Sequence, residues 1–226
     1  LKREGYIIAR CTVARLMKKL GIQGVWRGKN KQTTRSRDDQ KRADDLVKRN
    51  FNADHPDQLW VADFTYIQTH SGWVYTAFII DVFSRAIVGW KVSTRMNTDM
   101  VLDALEQALH DRGMPKNVIH HSDRGVQYLS IRYTNRLEAA NLRVSVGTTG
   151  DSYDNALAET VNGLYKTEVI EYLKADWQGL ADVQLATLNW VDWFNKKRVH
   201  SALGYVSPFE FEAMYYDKIN PLGQVA

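Results

Sequence analysis

Three acids in this chain sit where chemistry is possible: Asp63, Asp123 and Glu159. Asp63 lies inside the β-branched and aromatic run LWVADFTYIQT, where Val61 and Thr65 would share its face of a strand. A carboxylate in a central strand is expensive to bury unless it is paired or metal-bound. Asp123 ends the short apolar run NVIHHSD, at the carboxyl edge where open sheets place ligands, and Arg124-Gly125 then turns the chain away. Glu159 follows Asp154, a candidate helix N-cap, and shares a helical stripe with Asn155, Asn162 and Lys166. Ala156, Leu157, Thr160, Val161 and Leu164 are the expected packing side of that helix. Oxygen ligands from separate elements suit hard divalent ions such as Mg²⁺. Two such ions about 4 Å apart can activate an attacking oxygen and stabilise a leaving oxygen in phosphoryl displacement. Singly, each acid is an ordinary cap, ion-pair partner or surface group; their joint placement is what points to a site.

The surrounding patterns supply elements that would hold these acids. LWVADFTYIQT, WVYTAFIIDVF and AIVGWKVS are separated by Ser71-Gly72 and Ser84-Arg85 and read as three antiparallel strands. Asn97 or Thr98 caps a helix with Met100, Val101, Leu105 and Leu109 on one stripe, stopped by Gly113-Met114-Pro115. NVIHHSD is then a fourth strand, pairing with the first. A helix over 132–141, a fifth strand over 142–146 and a long helix from Asp154 to about Ile170 follow, with further helices over 179–197 and 208–216. This order predicts an α/β or α+β sheet covered by helices.

Charge divides the chain. Residues 1–50 carry a net charge of +10 and the remainder −6, although the total is only +4. The basic part suits a polyanion. In it, Thr12 is a candidate N-cap for a short helix bearing Val13, Leu16, Met17 and Leu20, which ends at Gly21 and presents Arg15, Lys18 and Lys19 elsewhere. A small basic helix before a glycine turn resembles half of a helix-turn-helix. The predicted organisation is the end of that module at 1–27, including Arg27, a basic linker at 28–53 with a helical turn near Ala43–Val47, a core at 54–216 and a tail at 217–226. Seven Trp and eleven Tyr exclude a disordered chain. A single cysteine, Cys11, excludes internal disulfides and a four-cysteine zinc site. No apolar run approaches the roughly 20 residues of a membrane span, so a cytoplasmic location is expected.

Other residues read as structural. His120 and His121 should alternate to opposite faces as hydrogen-bonding scaffold, and Asp81 fits a polar turn with Ser84. His200-Ser201 lacks an acid partner, and the adjacent Lys196, Lys197 and Arg198 read as a phosphate-contacting patch. Trp190, Trp193 and Phe194 have the spacing of core packing.

Fifty-nine residues separate Asp63 from Asp123 and 35 separate Asp123 from Glu159, with Lys166 seven after the glutamate. That pattern resembles the DD(35)E signature of retroviral-integrase-like recombinases. LWVADFTYI, DVFSRAIVGW, HHSDRGVQY, GDSYDNALAETVNGLYKTE and NKKRVHSALGYVSPFEF, in this order, resemble bacterial insertion-sequence transposases of the second-reading-frame (OrfB) type, in the insertion-sequence-three family. Ala62 and Val199 depart from the common Thr and Pro, neither of which binds metal. The resemblance implies a ribonuclease-H-like mixed five-stranded sheet with helices on both faces, plus the short helical arm. It also implies Mg²⁺ or Mn²⁺, two ions per site, held by Asp63, Asp123 and Glu159. DNA-strand cleavage and attack by the freed 3′-hydroxyl would follow, on double-stranded DNA and in a homo-oligomer. Lys166 and Asn155 would contact the DNA end. The alternatives from other classes are another ribonuclease-H-like nuclease and a non-catalytic DNA-binding regulator.

Overall fold

The computed structural model describes residues 3–24, 45–47, 50–123, 125–147, 155–173 and 176–220. Strands β1 (Leu59–Thr69), β2 (Gly72–Asp81) and β3 (Ile87–Ser93) form the antiparallel meander expected from their alternation. Gly72 takes φ +109° at the first turn, and Thr69 Oγ1 donates to its carbonyl at 2.7 Å. Helix α2 (Thr98–Asp111) then crosses over; Asn97 caps it by accepting from Met100 N–H at 3.2 Å. Strand β4 (Ile119–Ser122) returns parallel to β1, helix α3 (Ile131–Ala139) makes a second crossover, and β5 (Arg143–Val146) adds parallel to β4. The five-stranded order is β3-β2-β1-β4-β5, with β1 central.

Strand alternation splits the apolar residues between two cores, one on each face of the sheet. Trp60, Ala62, Ala77 and Ile79 pack under α2 and α3 with Met100, Leu105, Tyr133 and Leu137. Gly89 of β3 is required there, because a Cβ would lie 2.2 Å from Ala104 O and 2.9 Å from Ala108 Cβ. Val61, Ile67, Phe78 and Ile80 pack on the other face beneath helices α4 (Ala156–Tyr165) and α5 (Leu180–Lys196). Phe78, Tyr165 and Trp190 meet edge-to-face at ring separations of 5.1–5.9 Å. Helix α6 (Pro208–Ile219) closes the described chain behind a Ser207–Glu210 capping box.

Several boundaries differ from the sequence reading. The long helix over 154–170 is α4 followed by a π-helical segment, Lys166–Glu171. Asp154, the expected cap, lies outside the described residues, and Asn155 holds the N-cap position without capping. Helix α1 (Arg10–Lys19) starts behind Ala9, so Thr12 sits inside the first turn, while Gly21 ends it at φ +68°. No residue of α1 is buried. Trp193 is 42% exposed, outside the core that Trp190 and Phe194 fill. The linker expected at 28–53 is mostly outside the described residues. Leu46 and Val47 form a bend there, and Val47, Phe51 and Ala53 join the core ahead of residue 54.

Candidate active site

Parallel pairing of β1 with β4 sets the site. The register couples Trp60 with His120 and Ala62 with Ser122, so the next step along each strand carries Asp63 and Asp123 at the same level. There β4 ends while β1 runs on to Thr69, opening the crevice at a strand's carboxyl edge that open sheets use for ligands. Asp63 faces α4, as Val61 and Thr65 do; both of those are buried. Phe64 N–H donates to Asp63 Oδ1 at 2.8 Å and Asn162 Nδ2 donates to Oδ2 at 2.9 Å. On Asp123, Gly125 N–H donates to Oδ1 at 2.9 Å. A Cβ at Gly125 would lie 3.0 Å from that oxygen, so glycine lets the loop close on the carboxylate.

The two aspartates resist ionising. Protein packed around the half-buried Asp63 raises its pKa well above the carboxylate range; the charge of Asp123 adds to the rise, and the Phe64 and Asn162 hydrogen bonds oppose it. Asp123 is exposed at the end of β4, yet the protein beside it still desolvates the carboxyl enough to raise its pKa, against the Gly125 hydrogen bond and His121. Glu159 is exposed in the first turn of α4, and its charge adds a smaller push on Asp63 than Asp123 does. Among the described residues, no three His, Cys, Asp or Glu converge closely enough to hold one ion. Asp63 and Asp123 are therefore the assembled pair, with Glu159 at the rim.

The stripe on α4 meets β1 in a way that corrects its expected packing side. Ala158, Val161, Asn162 and Tyr165 are its buried residues, whereas Leu157, Thr160 and Leu164 flank them half-buried. Large Val161 and Tyr165 fill the volume over Phe78, and this rotation turns the amides inward. Asn155, read as a DNA contact, is instead buried, donating from Nδ2 to Ala62 O at 2.9 Å. Asn162, absent from the candidates, is the side chain that touches Asp63; its stripe position was the available signal. Lys166 lies with its ammonium 4.7 Å from the centre of the half-exposed Tyr66 ring, on the continuation of β1.

The remaining cationic candidates separate. Arg15, Lys18 and Lys19 are exposed on α1, and Arg27 lies outside the described residues. Lys196 pairs with Asp192, and Lys197 is exposed. Arg198 is not a free phosphate contact: it donates to Glu168 at 2.7, 3.0 and 3.2 Å, while Glu168 also accepts from Trp190 Nε1 at 2.9 Å. The π-helical turn brings Glu168 over α5 to make this clamp. His120 bonds to Tyr133 on one face and His121 to Ser145 on the other, at 3.0 and 2.9 Å, as scaffold. Asp81 accepts from Ser84 N–H at 2.9 Å and Asp57 N–H at 2.7 Å in the expected polar turn; burial raises it to about 6.

Two integrase core domain models match residues 53–152 and 140–208, and an HTH-like domain model matches residues 1–30. The transposase for insertion sequence element IS629 of Shigella sonnei is 57% identical over 97% of this chain and 73% of its own length. Transposase InsF for insertion sequence IS3A of Escherichia coli is 35% identical over 94% of this chain and 73% of its own. Among solved structures, the HTLV-2 integrase catalytic core domain in complex with magnesium superposes with a TM-score of 0.56 at 18% identity, covering 71% of this chain and 99% of that one. A simian T-cell lymphotropic virus intasome chain reaches 0.60 at 15% identity, over 91% and 70%. These likenesses and the mixed five-stranded sheet with helices on both faces establish the ribonuclease-H-like fold. The chain belongs to the insertion-sequence transposases of the IS3 type, enzymes that carry an integrase core, and is a DNA transposase.

Proposed function

We propose that Asp63 and Asp123, completed by Glu159, hold divalent metal for cutting an insertion-sequence end and joining its 3′-hydroxyl to another phosphodiester. The observation that carries this reading is the pair of aspartates side by side where β4 ends against the middle of β1. Their chemistry fits Mg²⁺ or Mn²⁺: they are oxygen donors whose mutual repulsion and desolvation a cation would relieve. Two ions bound there would activate the attacking oxygen and stabilise the leaving one. Asn162 and Phe64 N–H orient Asp63, and Gly125 N–H orients Asp123, so both carboxylates are fixed before substrate arrives. Glu159, exposed in the first turn of α4, would be the third ligand. Lys166 and the exposed cations of α1 supply positive charge for the DNA backbone.

The reading extends to double-stranded DNA as partner, a homo-oligomer assembled on the two ends, and a cytoplasmic site of action on bacterial DNA. The family assignment, the HTH-like match and the +10 charge of residues 1–50 support it. Among the described residues no helix is long and apolar enough to cross a membrane. The test is strand joining of a labelled insertion-sequence end with Mg²⁺ by the wild-type chain and by Asp63→Asn, Asp123→Asn and Glu159→Gln. Loss in all three, and on chelation, is expected. Unchanged joining in any properly folded variant removes that residue from the site.

A further inference from the structure

Tyr128 has a hydroxyl with no use among the described residues. Its side chain is 3% exposed, and the hydroxyl oxygen is buried without a hydrogen-bond partner among the described residues. Such a group is costly to leave unmade, and native proteins rarely retain one without a reason. Its position is specific. The turn that begins at Asp123 returns at Tyr128, whose N–H donates to Gly125 O at 2.9 Å. The ring lies 6.2 Å from Phe64, the residue after Asp63, and 5.5 Å from Tyr133. Both site aspartates are near enough for their charges to raise the Tyr128 pKa, behind burial and Tyr133. Tyr133 is the instructive contrast: equally buried, its hydroxyl is satisfied by His120 at 3.0 Å.

We propose that Tyr128 is a positioning residue of the aspartate site, its buried hydroxyl donating to an oxygen that arrives when Asp63 and Asp123 are loaded. This rests on the reading of those aspartates given above. A phenol at this position has a strong donor and lies near the carboxyl groups of both Asp63 and Asp123. The arriving oxygen belongs either to water held by the cation or to the phosphate of the DNA end. Either way, the hydroxyl is a stability defect in the unloaded protein and gains its partner only in the loaded one. Phenylalanine would fill the same volume and remove only the donor.

The experiment compares wild type, Tyr128→Phe, Tyr133→Phe and Asp63→Asn by thermal unfolding without divalent ion, with Mg²⁺, and with Mg²⁺ plus a duplex insertion-sequence end, alongside strand-joining kinetics. Tyr128→Phe is expected to match or exceed wild type in Tm without divalent ion, whereas Tyr133→Phe falls by about 2–4 °C. The rise in Tm on loading is expected to be smaller in Tyr128→Phe than in wild type. A deficit with Mg²⁺ alone assigns the oxygen to cation-held water; a deficit only with the duplex present assigns it to phosphate. Strand joining is expected to slow about 10- to 100-fold in kcat with little change in KM for DNA. A Tyr128→Phe protein with wild-type loading shifts and kcat overturns the proposal, as does a fall in unloaded Tm equal to that of Tyr133→Phe. If Asp63→Asn also keeps its loading shift and activity, the aspartate reading itself fails; if Asp63→Asn loses both while Tyr128→Phe does not, only the tyrosine's role is lost.

Discussion

Asn162, on the inward face of α4, donates a 2.9 Å hydrogen bond to Asp63 in the middle of β1. The bond spans 99 positions in sequence and ties the helix that carries Glu159 to the strand that carries the first aspartate. It favours the charged form of a carboxylate that burial and Asp123 otherwise drive toward the neutral one.

Replacing Asn162 with Ala should therefore slow strand joining about 10- to 100-fold while the protein stays folded. Asn162→Asp should be worse, because it sets another negative charge against Asp63. Strand-joining rates with circular dichroism as the folding control test this; wild-type turnover in Asn162→Ala would remove the hydrogen bond from the mechanism.

Gly89 marks the closest approach of α2 to the sheet. A methyl there collides with Ala104 O and Ala108 Cβ, so the helix must move outward. Gly89→Ala is expected to destabilise by about 1–3 kcal/mol and Gly89→Val by more. A shift in the urea midpoint at constant slope is the readout, and an unshifted midpoint for Gly89→Val contradicts the packing described.

Arg198 and Glu168 form a mostly buried clamp, each 19% exposed. Arg198→Ala leaves Glu168 with Trp190 as its hydrogen-bond donor among the described residues and should lower stability by about 2–4 kcal/mol. Because Arg198 is occupied by this pair, its loss should leave the salt dependence of DNA binding unchanged, whereas α1 variants such as Lys18→Ala should flatten it. Parallel denaturation and salt-titrated DNA binding separate the two roles; a flattened salt slope in Arg198→Ala would return this residue to the DNA interface.

His120 stays neutral in the folded protein down to about pH 3, because burial comes first and His121 second in lowering it from 6.5. Below pH 6.5 the unfolded chain binds a proton that the folded one refuses, so this residue's contribution is lost as pH falls toward 3, by at most about 1.4 kcal/mol per pH unit. Asp81, raised to about 6, and Asp63, raised to about 8, act in the opposite direction as the pH falls toward 3.8, and His200, lowered to about 4, acts in the same one, so the wild-type curve alone mixes them. The stability gap between wild type and His120→Gln isolates the histidine. It should narrow as the pH falls from 7 to 5 in urea titrations, and a gap independent of pH would contradict a buried neutral His120.

Strand number, the antiparallel meander and the crossover helices were legible because alternating β-branched residues, capping asparagine and glycine stops are local signals. The inward direction of Asp63 was legible because it shares a strand face with Val61 and Thr65, and both of these are buried. Asn155 and Arg198, expected as DNA contacts, have partners within the fold that the sequence did not announce: a polar side chain's type says that it needs a partner, not which one. Asn155 meets Ala62 O across 93 positions and Arg198 meets Glu168 across 30. The π-helical turn that delivers Glu168 has no local pattern to announce it.

The sequence by itself determined which elements form, which acids could act together and which family supplies their context. Composition, period and spacing are properties of the chain and need no folding to be read. Only the tertiary structure decided the register that sets Asp63 beside Asp123, the rotation of α4 that gives Asp63 to Asn162, and the burial of Tyr128, whose hydroxyl has no partner among the described residues. Those depend on how side-chain volumes from distant segments fill one space, and a close-packed interior settles such choices only when all of its parts are present.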